Sequence, residues 1–199
     1  MSSKVFFADL KAKSEKENRT NKVRRLFDEA GFGDIISEKD LTAIKIHFGE
    51  RGGDAFINPI YVRQIVEKIK EMGAKPFVTD TNTLYRGSRH NSVDHIENAI
   101  DHGFDYSVIR APIIIADGIN GKNAAWIGIN KKHFEKVRIA GELFHSDSMI
   151  MMTHFKGHEM AGFGGSIKNL AMGGATAYGK MDQHSVRPKV IKRKCVGCG

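Results

Sequence analysis

The sequence predicts an α/β protein, with a largely parallel sheet flanked by helices in a single domain. Three observations predict it. Short apolar runs of β type alternate with amphipathic segments of helical period. Each helical segment opens on a capping residue such as Asn, Ser or Thr and stops at a glycine. Most of the apolar runs are also short enough to be buried strands. Strands alternating with helices imply right-handed crossovers and parallel pairing. A chain of 199 residues that is 41% hydrophobic has enough apolar mass for such a core.

In chain order, VFFADL reads as a first strand. TNKVRRLFDEAGFG follows as a helix, with Thr20 or Asn21 as cap, Val23, Leu26, Phe27 and Ala30 on one face, and Gly31 as stop. AIKIHF is the next strand. NPIYVRQIVEKIKEMG is a helix with Asn58 as N-cap and Pro59 at its first position. Val62, Ile65, Val66 and Ile69 line its apolar face and Gly73 ends it. KPFVTD is a strand. NSVDHIENAIDHG is a helix opening at Ser92, with Val93, Ile96, Ala99 and Ile100 on its apolar face and Gly103 as stop. PIIIAD, AWIGI and SMIMMT complete the strands. There is no tandem repeat or low-complexity linker. The simplest division is an α/β ligand-binding domain over residues 1–183 and a basic linker with a cysteine-containing end over 184–199.

The net charge of +8 is uneven, with much of it in RPKVIKRK, Arg187 to Lys194. No aromatic residues are interleaved there, which argues for a solvated tail and against nucleic acid as a partner. The start MSSKVFFADLKAK lacks the apolar core of a signal peptide, and no stretch approaches the roughly 18 apolar residues of a membrane span. A cytoplasmic protein with no membrane partner is expected. Both cysteines, Cys195 and Cys198, form a C-x-x-C pair in CVGCG. Two cysteines so placed cannot staple the fold, and they point to a metal or redox role.

Polar groups gather where the predicted strands end. AIKIHF carries Lys45 and His47 on alternate positions and runs into Glu50; KPFVT ends in Asp80; PIIIA ends in Asp117; SMIMMT ends in His154, Lys156 and His158. Ligands of open α/β sheets bind beyond the carboxyl ends of the strands. Any one Asp could simply cap a following turn, but the coincidence across four strand ends is more telling. His47, Glu50, Asp80, Asp117 and His154 are therefore candidate catalytic acid–base groups, and Lys45 and Lys156 candidate ligand-binding groups. His154 and His158 are four apart, a spacing that on a helix would suit a metal; Gly157 between them weakens that reading. In GFGGSIKNLAM, Gly162, Gly164 and Gly165 lead to Ser166 as an expected N-cap, with Lys168 nearby, as a helix-start anion site would require. A tight turn made only for packing explains that segment equally well.

The blocks KIHFGE, TDTNTLYRGSRHN, ADGINGKN, HFKGHEMAGFGGSIKNLAMG, QHSVRPKV and CVGCG, in this order, resemble the family called domain of unknown function 362, often described as iron–sulfur cluster-binding proteins. The similarity runs from about Lys45 onward. It implies a bacterial ferredoxin module after the α/β domain, built on C-x-x-C-x-x-C-x-x-x-C-P runs that hold [4Fe–4S] clusters. Cys195 and Cys198 match the first two cysteines of such a run and are read as cluster or metal ligands. The third and fourth are absent, so the chain reads as cut at the start of that module and cannot complete a cluster alone. The resemblance implies a redox partner but no particular reaction.

The expected function is a redox-linked protein whose α/β domain binds a small anionic ligand, or a divalent metal, in the strand-end crevice. The rival classes are a metal-dependent hydrolase or transferase, in which the metal activates water, and a non-catalytic anion-binding protein.

Overall fold

The computed structural model describes residues 3–184 and 191–197. The first helix, α1, spans Arg19–Glu29, and a five-residue strand, β1, follows at Leu41–Lys45. Helix α2 (Pro59–Glu71) leads to β2 (Lys75–Asp80); α3 (Ser92–Asp101) and the short α4 (Tyr106–Ile109) lead to β3 (Ile113–Ile115). Strands β4 (Ala124–Gly128) and β5 (Lys136–Ala140) are followed by α5 (Gly141–Phe144) and β6 (Ser148–Met151). The last part holds β7 (Lys156–His158), β8 (Gly162–Gly164), α6 (Ser166–Ala171) and α7 (Ala177–His184). No helix among the described residues is long and apolar enough to cross a membrane.

The main sheet has the order β3-β2-β1-β6, all parallel. The chain steps from β1 outward through β2 to β3, then returns to the other side of β1 as β6. The direction of winding therefore reverses at β1, and in open α/β sheets such a reversal opens a crevice at the carboxyl end of the strands. Ile44 lies opposite Val78 on one side and Ile150 on the other. It is fully buried, as are Ile46, Val62, Val66, Ile69 and Phe48. Each such side chain contributes about 1.5–3 kcal/mol relative to exposure. This core, joined by Phe27 of α1, fixes the floor beneath the strand ends.

Helix α2 is as the sequence predicts: Asn58 caps it by accepting from Ile60 N, Pro59 stands at its start, and Gly73 follows with φ 79°. Two caps shift. Asn18, accepting from Asn21 N, caps α1 in place of Thr20 or Asn21. Asn91 caps α3 in place of Ser92, because its Oδ1 accepts from both Val93 N and Asp94 N while Ser92 Oγ is drawn inward to Gly118 O.

Four strand expectations change. VFFADL is not a strand: Val5, Phe7 and Leu10 are 89%, 86% and 72% exposed, and the segment finds no sheet edge to pair with. It is held instead by Lys22, whose Nζ binds the Asp9 carboxylate and the carbonyls of Asp9 and Lys11. AWIGI does form a strand, but β4 pairs antiparallel with β5 in a separate two-stranded sheet. The β5 segment KVRIA is not among the predicted strands, although Val137 and Ile139 alternate with Lys136 and Arg138. The glycine segment Gly162–Gly164 is the second strand of the β7–β8 hairpin rather than a loop.

Candidate functional site

The site grows from the last residue of β2. Asp80 is 3% exposed, and its two carboxylate oxygens have different surroundings. Oδ1 accepts from Lys45 Nζ at 2.8 Å and from Thr81 N at 2.9 Å. Oδ2 is more loosely held, with Arg89 Nη1 at 3.3 Å, His95 Nε2 at 3.7 Å and His47 Nδ1 at 3.8 Å. Burial works to raise the Asp80 carboxyl, but the charge of Lys45 and the contacts of His47 and His95 outweigh it and hold the group well below the usual range.

Lys45 closes β1 and is fully buried. Besides Asp80, its ammonium donates to Ile46 O at 2.9 Å and Asn169 Oδ1 at 2.8 Å. Its three donors are thus spent inside the protein. Asn169 comes from α6, and its Nδ2 reaches Met152 O and Thr153 Oγ1 past the end of β6. The pair therefore ties three consecutive sheet positions together. Gly173 makes room for it: a Cβ there would lie 2.9 Å from Lys45 Nζ and 2.2 Å from Asn169 O.

Arg89 reaches in from the connection between β2 and α3. Its Nη2 donates to Glu50 and, at 2.6 Å, to the Tyr85 hydroxyl, which in turn donates to Glu50. Burial of Glu50 is outweighed by the Arg89 and Tyr85 hydrogen bonds, which lower its pKa. Burial, together with the Glu50 carboxylate, pushes the Tyr85 phenol up to about 12. For His47, burial dominates and lowers its pKa, helped by the charges of Arg89 and Lys156 and opposed by Asp80.

Behind Asp80 lies a second layer. Asp117 Oδ1 accepts from Asn82 N at 2.9 Å and Asn82 Nδ2 at 3.0 Å, and burial raises its carboxyl. Lys180 of α7, 8% exposed, donates to Thr81 Oγ1 and to Ala175 O. Burial brings this lysine down to about 8, although Asp117 and Asp80 oppose the shift.

Of the residues that the sequence singles out, the structure brings together Lys45, His47, Glu50 and Asp80, with Asp117 joined through Asn82. Lys156 acts on His47 by charge. His154 is exposed in the connection between β6 and β7. His158 serves its own hairpin: Nδ1 accepts from Met160 N and Ala161 N, both at 3.2 Å, and Nε2 contacts Lys168 Nζ. Ser166 is not the N-cap of α6. Gly165 holds that position, no side chain caps the helix, and Ser166 is its first residue. Cys195 is exposed, and Cys198 lies outside the described residues. Arg89, His95, Asn169 and Lys180 were not singled out. Each comes from a loop or helix, and the only signal for Arg89 was a long polar connection after a strand end.

A family model described as Domain of unknown function (DUF362) matches residues 42–196, from β1 through every element of this site. The chain belongs to that family. No curated protein and no solved structure matches it. In this DUF362 chain, no group of three or more His, Cys, Asp and Glu among the described residues is placed to hold a metal ion. The carboxylate at its centre faces Lys45 and Arg89, and Arg89 is shared with Glu50, so the two cations at the site are matched by two carboxylates.

Proposed function

We propose that the crevice at the ends of β1 and β2 binds a small anionic ligand, and that the chain is the ligand-binding part of a redox-linked protein. One observation carries the first half. Arg89 Nε and His95 Nδ1 are enclosed without a hydrogen bond, and His95 Nε2 faces only Asp80 Oδ2, at 3.7 Å. Arg89 Nε is always a donor, and a neutral imidazole has one. Leaving a buried donor unmet costs about 1–3 kcal/mol. An oxyanion such as a carboxylate or phosphate would meet these donors, whereas a cation would meet only the unpaired acceptors Asn82 Oδ1 and Asp117 Oδ2 in the layer behind Asp80. The donor set thus gives no support to a metal-dependent hydrolase.

The redox half is supported by the resemblance of CVGCG to the opening of a ferredoxin cluster run. A [4Fe–4S] cluster takes four thiolates, and this chain has two cysteines. Its own residues do not hold such a cluster, so in this reading the remaining thiolates and the electron transfer they support come from a partner module.

Titration calorimetry with sulfate and with small carboxylates at low ionic strength tests the anion reading. Arg89→Leu should lower affinity at least about tenfold, the range for a hydrogen bond to a charged group, and Arg89→Lys should recover part of it. Absence of binding to any of these anions, or equal affinity in a folded Arg89→Leu protein, would rule the reading out.

A further inference from the structure

We infer that the crevice is a proton-coupled anion site in which His47 is the proton acceptor. The inference rests on the anion reading above and gives it a direction of proton flow. His47 stands two residues beyond β1, on the same sheet edge as Asp80. Its Nδ1 faces Asp80 Oδ2 at 3.8 Å, while its side chain keeps 23% of its surface open. Nε2 is not among the enclosed atoms and makes no hydrogen bond within the described residues.

Asp80 cannot swing away, because Lys45 Nζ and Thr81 N pin Oδ1 at 2.8 and 2.9 Å. Its other oxygen therefore faces the imidazole from a fixed point and favours a proton on Nδ1, which leaves the Nε2 lone pair available. At 3.8 Å the carboxylate acts on the ring through its charge and not through a hydrogen bond.

The charges around His47 come from several elements. Asp80 ends β2, Arg89 enters from the β2–α3 connection, and Lys156 comes from β7. Glu50 follows β1 and is bound to Arg89 and Tyr85, and His95 of α3 sits across Asp80. Without a ligand, burial and two neighbouring cations disfavour imidazolium. An oxyanion drawn to Arg89 reverses that balance by adding negative charge beside the ring. One proton then passes from solvent to Nε2, the imidazole becomes imidazolium, and no electron moves. The bound anion faces a new cation that can donate a hydrogen bond to it.

Sulfate is a suitable probe because it does not itself titrate near neutral pH. Calorimetry in buffers of different ionisation enthalpy reports protons taken up, and nitrogen-resolved NMR follows the His47 ring with and without sulfate. Between the free and bound midpoints of His47, uptake should approach one proton per sulfate. The midpoint should move upward, and affinity should fall as pH rises, about tenfold for each unit of midpoint shift. His47→Gln should lose the proton uptake and bind sulfate at acidic pH no better than at alkaline pH. Sulfate binding without proton uptake, or uptake that persists in His47→Gln, would overturn the role of His47 while leaving the anion reading intact. No sulfate binding at any pH would overturn both.

Discussion

A single carboxylate is divided between two duties. Asp80 Oδ1 belongs to the fold, because it neutralises a lysine with no exposed surface; Oδ2 belongs to the crevice, with three looser donors around it. Replacing Asp80 with Asn keeps the shape and removes the charge. Lys45 would then be a buried cation without its partner, and loss of one member of such a pair costs about 3–5 kcal/mol. Urea denaturation should show a loss of that size; a change below about 1 kcal/mol would mean that the ammonium finds compensation elsewhere. The pH dependence follows the same logic. Since the Asp80 carboxyl is held below its ordinary value of 3.8, its contribution to stability is present above that value and disappears as pH falls through the folded-state pKa. Wild-type protein should therefore lose stability in that acidic window, and the Asn variant should lose less.

At the scale of elements, the site depends on how closely the turn after α6 approaches β1. Gly173 lies against both Asn169 O and Lys45 Nζ, so Gly173→Ala would force backbone or the ion pair to move. Overpacking of this kind costs about 1–3 kcal/mol, which thermal unfolding would register, whereas Gly128→Ala, at a glycine without a positive φ whose Cβ meets nothing, should cost far less. Equal effects at both positions would show that the close approach carries no special weight. The elements were legible in the sequence wherever local chemistry decides them. Asn58 and Pro59 started α2 and Gly73 stopped it, and KPFVTD became β2 without a shift. VFFADL failed because β character in a run of residues reports how well it would fit a sheet, and no neighbour is present for it. The site divides in the same way. His47 and Asp80 could be found because strand ends are visible in the pattern. Arg89, His95 and Lys180 could not, since nothing in a loop or helix pattern says which polar side chain turns inward.

Across the whole molecule, the family match covers β1 to Val196, so the site and the cysteine-bearing end belong to one matched region. If cluster chemistry is supplied from outside, anaerobic reconstitution of this chain with iron and sulfide should leave the monomer without stoichiometric four-iron cluster, by iron assay and absorption. A stable cluster at one per monomer would contradict that. The strand order has a further consequence, for the chain as it is being made. β1 and β2 are synthesised early, but the other neighbour of β1 is reached only with β6, where Thr42 meets Ser148 across 106 positions. Asn169 is later still, 124 positions beyond Lys45. Contacts of such separation form late, because the loop entropy must be overcome first. A nascent chain that has released only its first half already carries Lys45 and Asp80, yet has nothing to roof them, and that strand edge stays open to water and to chaperones until the last third emerges from the ribosome. On the proposed anion reading, the crevice is complete only once α6 has docked, and any pause in synthesis before β6 would lengthen the exposure of an unpaired edge of β1.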